Sequence, residues 1–512
     1  MLQRVSDSAS LCELVEPLEA WLDASTNMPP TTGQAIECLA LCHALPELAA
    51  CLPAAVWTQL LEQLVSIQRD STALAIHQVP LVTQLLRGEL PLTLAYLFPE
   101  LPRCRALWPF ASRQLSTGLM TLLDGEGLPP GDQLSVARLL LACWTRCHLL
   151  SSAANRVVFD ARARNRYERF VRQSLRLTRS DGRAIFSSDA SDCWPSGLIR
   201  TALDFTGEPQ TRAMADRVLG DRSLLLTAAG LELPAPSVTS DKSQTVVLRR
   251  DWSQKSTQFV LSHAHQGVYC ELNSNGQTLW TGPWELSVSM DERPLYAVSD
   301  WEQVCWMSDA DGDYVELQIH LDDNHIVQRH IYLARADNFL ILADAFLGRR
   351  RGAIEYRSSL PLGPGISFVP ESATWEGAVC GRHRLARVLP LALPEWRTGI
   401  QRGSLRQVEQ NLQWRQFRAG QRLFVPLFWD LEPRRLARPV TWRQLTVAER
   451  LVVQDADAAV GFRVQVGERH WLLYRSLGTR GNRTVLGQNF STEFVLARFN
   501  KDAEAEKLIE TE

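Results

Sequence analysis

Lysine is nearly missing. Of the 54 basic residues in this 512-residue chain, four are lysines (Lys242, Lys255, Lys501 and Lys507), and the rest are arginines. None of the four sits in an apolar stretch. A lysine base or Schiff base needs an amine held in apolar or cationic surroundings, so that chemistry is disfavoured. A net charge of −3 leaves no basic surplus for nucleic acid or an anionic membrane. No apolar run reaches the ~18 residues that would span a bilayer. The start, MLQRVSDSASLCELVEP, lacks a basic segment followed by an apolar one. No signal peptide is read there, and a cytoplasmic location is expected. The 11 cysteines are odd in number and show no framework spacing. Cys38/Cys42 and Cys143/Cys147 share helical faces and read as small buried hydrophobes in a reducing compartment.

The length exceeds what one core supports, so two or three domains are expected. Residues 1–233 carry apolar residues at three- and four-residue steps, as in LCELVEPLEAWL, AAVWTQLLEQLVSIQRD and QLSVARLLLACWTRCHLL. Prolines 53, 80, 99 and 102 break the pattern into helices of similar length, which suits paired helices. Residues 234–245, within LELPAPSVTSDKSQT, form a polar linker. The period then switches to two across residues 246–500. A charged tail, residues 501–512, is expected to fray. The fold class read from these patterns is α+β multidomain: a helical domain, then two packed antiparallel sheets.

The run from Asp313 to Pro370 organises the second part. LQIHL, HIVQRHIYLA and FLILADAF are each about one strand long. Asp322-Asp323-Asn324 and Ala336-Asp337-Asn338 separate them with residues that tolerate positive φ. Asn275-Gly276 marks another hairpin. Asp309, Asp311 and Asp313 mimic a calcium loop, but the glycine falls too early and no distal Glu is in register, so a hairpin turn is read.

A strand with an Arg, an apolar strand ending in Asp344, then Glu355-Tyr356-Arg357 and LPLGPG resemble the β-sandwich of heparinase II/III-like proteins. LTLAYLFPELPRCRALWPFASRQLSTGLMTLLDGEG resembles that family's helical segment. The resemblance implies an α/α toroid-like domain, here an incomplete ring, followed by an antiparallel β-sandwich. It also implies a polysaccharide lyase cleaving an acidic, uronic-acid-containing glycan by β-elimination in a cleft between the domains. The partner implied is therefore an acidic polysaccharide or oligosaccharide. The rival reading is a catalytically degenerate glycan- or protein-binding relative. Family members are often periplasmic or secreted.

Such a reaction needs a group that neutralises the carboxylate, a base and an acid. His263 and His265 fall where the family carries a His-x-His motif, but Gln266-Gly267 follows in place of its Asp. Thr281-Gly282-Pro283 replaces another expected Asp, and His325 and His330 are out of register with a further expected His. The ligands of the family's zinc are thus largely absent, and no cofactor is expected. The family's Tyr-His pair after the Asp124-Gly125 turn is replaced by Leu134-Ser135. His77 and Tyr167 are the remaining candidates from the helices. Trp194, Trp280 and Trp284 could stack on sugars, and Arg349 and Arg351, in a loop, could pair with glycan carboxylates or sulfates.

Overall fold

The computed structural model describes residues 9–25, 30–187, 196–220, 231–264, 266–398, 402–500 and 504–512. The chain divides into two compact units. One comprises Met1–Leu175 with Trp194–Arg212; the other comprises Arg176–Cys193 with Ala213–Glu512. The second unit therefore takes in part of the region read as helical domain. Thr178 and Ala184 bridge there as a small hairpin around the Asp181-Gly182 turn.

The first unit is helical, with long helices at Ala9–Ser25, Thr32–Leu48, Ala54–Asp70, Leu107–Leu122, Ala137–Ala153 and Ala161–Arg176. Pro53 caps one helix and Pro80 and Pro102 begin others, as missing N–H groups allow. The stretch from Pro80 to Leu97 is continuous but widens into a π turn at Leu85–Glu89, just before Pro91. A proline inside an α-helix clashes with the carbonyl four residues back, and the wider turn relieves that clash. Gly88 of this turn lies against Leu115, where an added Cβ would come 2.5 Å from a methyl carbon. Trp144 donates to Gln84 Oε1 at 2.9 Å and meets Phe170 edge to face at 5.4 Å.

The second unit is a sandwich. Its main sheet centres on the strand Phe339–Pro361, flanked by His325–Ala334, Gln277–Met290 and Asn411–Asp430. Phe339, Ile341, Ala343 and Ala345 pack against the five-stranded sheet through Phe462, Trp471, Leu473 and Phe494. Leu340, Leu342 and Phe346 fill a second core on the opposite face, with Leu317, Ile331 and Trp429. Two buried faces explain why FLILADAF reads as an unbroken apolar run rather than an alternating one. Asp323, Asn324, Asn338 and Asn275 take positive φ (56°, 59°, 49° and 53°), so the hairpins turn where the sequence placed them. Asp309 Oδ1 accepts from the N–H groups of Asp311 and Gly312 and closes a hairpin turn.

Three expectations need correction. Residues 349–351 are not a loop. The strand Phe339–Pro361 runs through them, with a shift of register between Leu347 and Gly352. Nor does the C-terminal segment fray. Ala505–Thr511 pairs with Phe494–Phe499, and Leu508 and Ile509 enter the core. The expected linker likewise holds a strand, Val238–Ser240, paired with Thr245–Arg249.

Candidate functional site

In the sandwich, the strand Gln258–Ser262 delivers His263 into a turn fastened from both ends. The His263 N–H donates to the Gln244 carbonyl at 2.9 Å, and Nδ1 lies 3.3 Å from the Trp301 carbonyl. Trp301 Nε1 returns a bond to the Gln266 carbonyl at 3.1 Å. His263 is buried, and its Nε2 is enclosed without a hydrogen-bond partner among the described residues. Burial pushes its pKa below the usual imidazole value, against a smaller opposing effect of the Trp301 carbonyl.

Beside this turn lies a cavity of ≈ 250 Å³, walled by Gln266, Gly267, Trp284, Glu285, Trp301 and Leu321 among others. Its two tryptophans clasp one guanidinium. Arg329 stands 3.6 Å from the Trp284 ring centre and 4.7 Å from that of Trp301. Arg329 Nε and Nη2 donate to both oxygens of Asp344 at 2.8 and 2.9 Å, and Tyr356 Oη donates to Asp344 Oδ2 at 2.7 Å. Arg329 and Asp344 are register partners on adjacent antiparallel strands, which places them on one face. Trp284 Nε1 donates to Ser358 Oγ at 3.0 Å. The Arg, Asp and Tyr of the sequence motif thus meet in one enclosed network. It stiffens an aromatic wall and presents no group for proton transfer.

In the helical unit, Tyr167 is fully enclosed and its hydroxyl is shared with Thr145 Oγ1 at 2.8 Å. Burial raises its pKa. Tyr167 therefore offers no hydroxyl to a substrate, contrary to the expectation for it. Its ring packs against His148, 4.6 Å between centres, and Phe159 and Phe205 complete the nest. Burial, helped by Arg164, lowers the His148 pKa to about 4, so the imidazole is neutral at pH 7. The sequence reading missed this pairing. His148 and Tyr167 lie on different helices, and no short spacing joins them.

The remaining candidates scatter. His77 is exposed, in the turn ahead of Pro80. His265 and Trp194 lie outside the described residues. Trp280 is fully buried against Trp429, 4.3 Å between ring centres, so it has no face for a sugar. Trp284 is 3% exposed and is held by Arg329, which leaves it as cavity wall rather than an open platform. Arg349 Nε donates to the Asn324 carbonyl, and Arg351 pairs loosely with Asp457 at 3.5 Å; both guanidiniums stay at the surface. Among the described residues no three His, Cys, Asp or Glu side chains converge as a metal site requires.

No family model matches the chain, and no curated protein matches it in sequence. Solved structures do match in fold. A heparinase III gene product superposes with a TM-score of 0.61 at 11% identity, covering 92% of this chain and 82% of that one. A second heparinase III gives 0.61 at 13% identity, covering 92% and 80%. A mutant of the heparan sulfate lyase HepC from Pedobacter heparinus gives 0.60 at 12%, covering 93% and 80%. The fold is heparinase-like. At 11–13% identity the likeness concerns the scaffold. Among the described residues no helix is long and apolar enough to cross a membrane.

Proposed function

We propose that the chain is a polysaccharide lyase that cleaves an acidic, uronic-acid-containing glycan by β-elimination. The observation that carries this reading is the fold held in common with heparinase III and a heparan sulfate lyase over 92–93% of the chain. In such a reaction the sugar carboxylate is neutralised, which acidifies the proton on the adjacent carbon. A base removes that proton. The neighbouring C–O bond then breaks with its electrons on oxygen, the leaving oxygen takes a proton, and a C=C bond remains. With Tyr167 and His263 enclosed, proton transfer falls to His265 and the exposed His77. Carboxylate recognition falls to the surface guanidiniums of Arg349 and Arg351. The test is an assay on a panel of uronate polymers, following ultraviolet absorbance of the unsaturated product. Absence of product from every polymer rejects the reading.

A second reading, glycan binding without cleavage, draws on one observation. Both candidates nearest the family's catalytic types, Tyr167 and His263, are sealed from solvent. Bound glycan of unchanged chain length would decide for it.

A further inference from the structure

Fifteen of the sixteen tryptophans lie among the described residues, and Trp396 alone of these is exposed, at 56%. Its exposure does not come from a loose segment. The residues around it are tied down on both sides. Trp375 N–H donates to the Glu395 carbonyl at 3.1 Å, Arg397 N–H to the Ala373 carbonyl at 2.9 Å, and Thr374 bridges to Trp396 itself. Arg397 lies over the Trp375 ring at 4.4 Å, and Trp442 Nε1 donates to the Leu393 carbonyl at 3.0 Å. A large apolar ring is thus held on a fixed backbone and left in water, where an ordinary core residue would be covered.

The ring borders a cavity of ≈ 610 Å³ whose polar lining, among the described residues, includes Glu395, Thr398, Arg402, Arg443 and Gln444. Arg402 and Arg443 are exposed, and among the described residues neither has a carboxylate partner. Arg351, Arg415 and Arg418, by contrast, each face one. Glu395, the one carboxylate among the described residues of this wall, accepts from the Thr441 hydroxyl. A neighbouring cavity of ≈ 740 Å³ shares Arg402 and Gln444 and reaches Phe417, 40% exposed. Phe417 N–H donates to the Arg402 carbonyl at 2.7 Å, which fixes the spacing of the two parts.

A preformed flat ring beside two guanidiniums that make no ion pair among the described residues suits a ligand with an apolar face and an anionic edge, although Glu395 in this wall and Glu292, Glu355 and Asp455 in the adjoining cavity also carry charge. We propose that this groove is a second binding subsite, one for an anionic saccharide. The C–H face of one sugar ring stacks on Trp396, and its carboxylate or sulfate is taken by Arg402 and Arg443. The saccharide class rests on the proposed function, but none of these residues is assigned to proton transfer.

The full chain is titrated calorimetrically with a heparan sulfate hexasaccharide and an oligogalacturonate hexasaccharide, and with the carboxyl-reduced form of the latter. Trp396→Ala and the double variant Arg402→Ala/Arg443→Ala are titrated alongside. Thermal unfolding confirms that each variant is folded. The expected result is binding of at least one acidic hexasaccharide, roughly tenfold or more weakened in each variant, as loss of an aromatic or arginine anchor does. The carboxyl-reduced sugar binds more weakly to the wild type than its parent. Unchanged affinity in both variants overturns the subsite. So does failure of the wild type to bind either acidic sugar, or equal binding of an acidic hexapeptide. Loss of binding in the variants with no unsaturated product from any polymer upholds the subsite while rejecting the lyase reading. Product formation with unaltered binding in the variants does the reverse.

Discussion

Arg179 and Glu271, both in the sandwich unit, meet in a buried two-pronged ion pair, Nε to Oε1 at 2.6 Å and Nη2 to Oε2 at 2.5 Å. The same carboxylate accepts from the Phe186 N–H, Asn273 Nδ2 and Thr281 Oγ1. It therefore anchors the 178–184 hairpin to the sheet. Glu271→Gln removes the carboxylate charge from this buried pair, and breaking a buried pair costs about 3–5 kcal/mol. A clear drop in unfolding midpoint is expected in calorimetry, with hairpin amides exchanging faster. An unchanged midpoint would mean that the pair contributes nothing.

The nest around His148 makes the helical unit sensitive to acid. Its folded pKa of about 4 lies below the ordinary imidazole value of 6.5, so the unfolded chain binds the proton more readily. The resulting stability is complete above pH 6.5 and declines as pH falls toward 4. At about 1.4 kcal/mol per pH unit the total is about 3 kcal/mol. His148→Phe should flatten the stability profile between pH 6.5 and 4, read by denaturant titration at several pH values. A profile as steep as wild type would exclude His148 as the cause. His263, shifted the same way, contributes a loss of the same sign to the sandwich.

Trp280 separates packing from ligand contact. Sealed against Trp429, it should cost about 3–5 kcal/mol when cut to alanine. Saccharide affinity, measured on the folded fraction, should stay the same. Selective loss of affinity at unchanged stability would restore it as a sugar platform.

Among the proton-transfer candidates, His265→Ala is expected to lower kcat by 10²-fold or more, in the range that general acid–base groups supply (roughly 10²–10⁴). Tyr167→Phe removes a hydroxyl already committed to Thr145. It should cost about 1 kcal/mol of stability and leave kcat within about twofold. A large fall in kcat for Tyr167→Phe would mean that the nest opens during turnover.

Much of the fold was legible because local chemistry dictated it. Asn275, Asp323, Asn324 and Asn338 occupy left-handed positions that few residue types accept, so the hairpins announced themselves. The strand through Arg349–Arg351 did not, because a bulge leaves no compositional mark and three arginines look like a turn. Ala505–Thr511 was hidden for a similar reason: only Leu508 and Ile509 are buried in an otherwise polar stretch. The candidate site was less legible. Arg329, Asp344 and Tyr356 were recognisable as a motif, yet the enclosure of Arg329 involves Trp284 and Trp301, which come from other parts of the chain. Trp280 and Trp396 look alike in sequence, and only partners far along the chain decide which is covered.

Between Phe339 and Leu347 the strand Phe339–Pro361 belongs to two interiors at once, with odd-numbered residues on one side and even-numbered ones on the other. Neither layer has a spine of its own. Loss of that strand would uncover both interiors together, so the sandwich should melt in one step, however many sheets it contains. A protease that enters at any point along it would find the whole unit open.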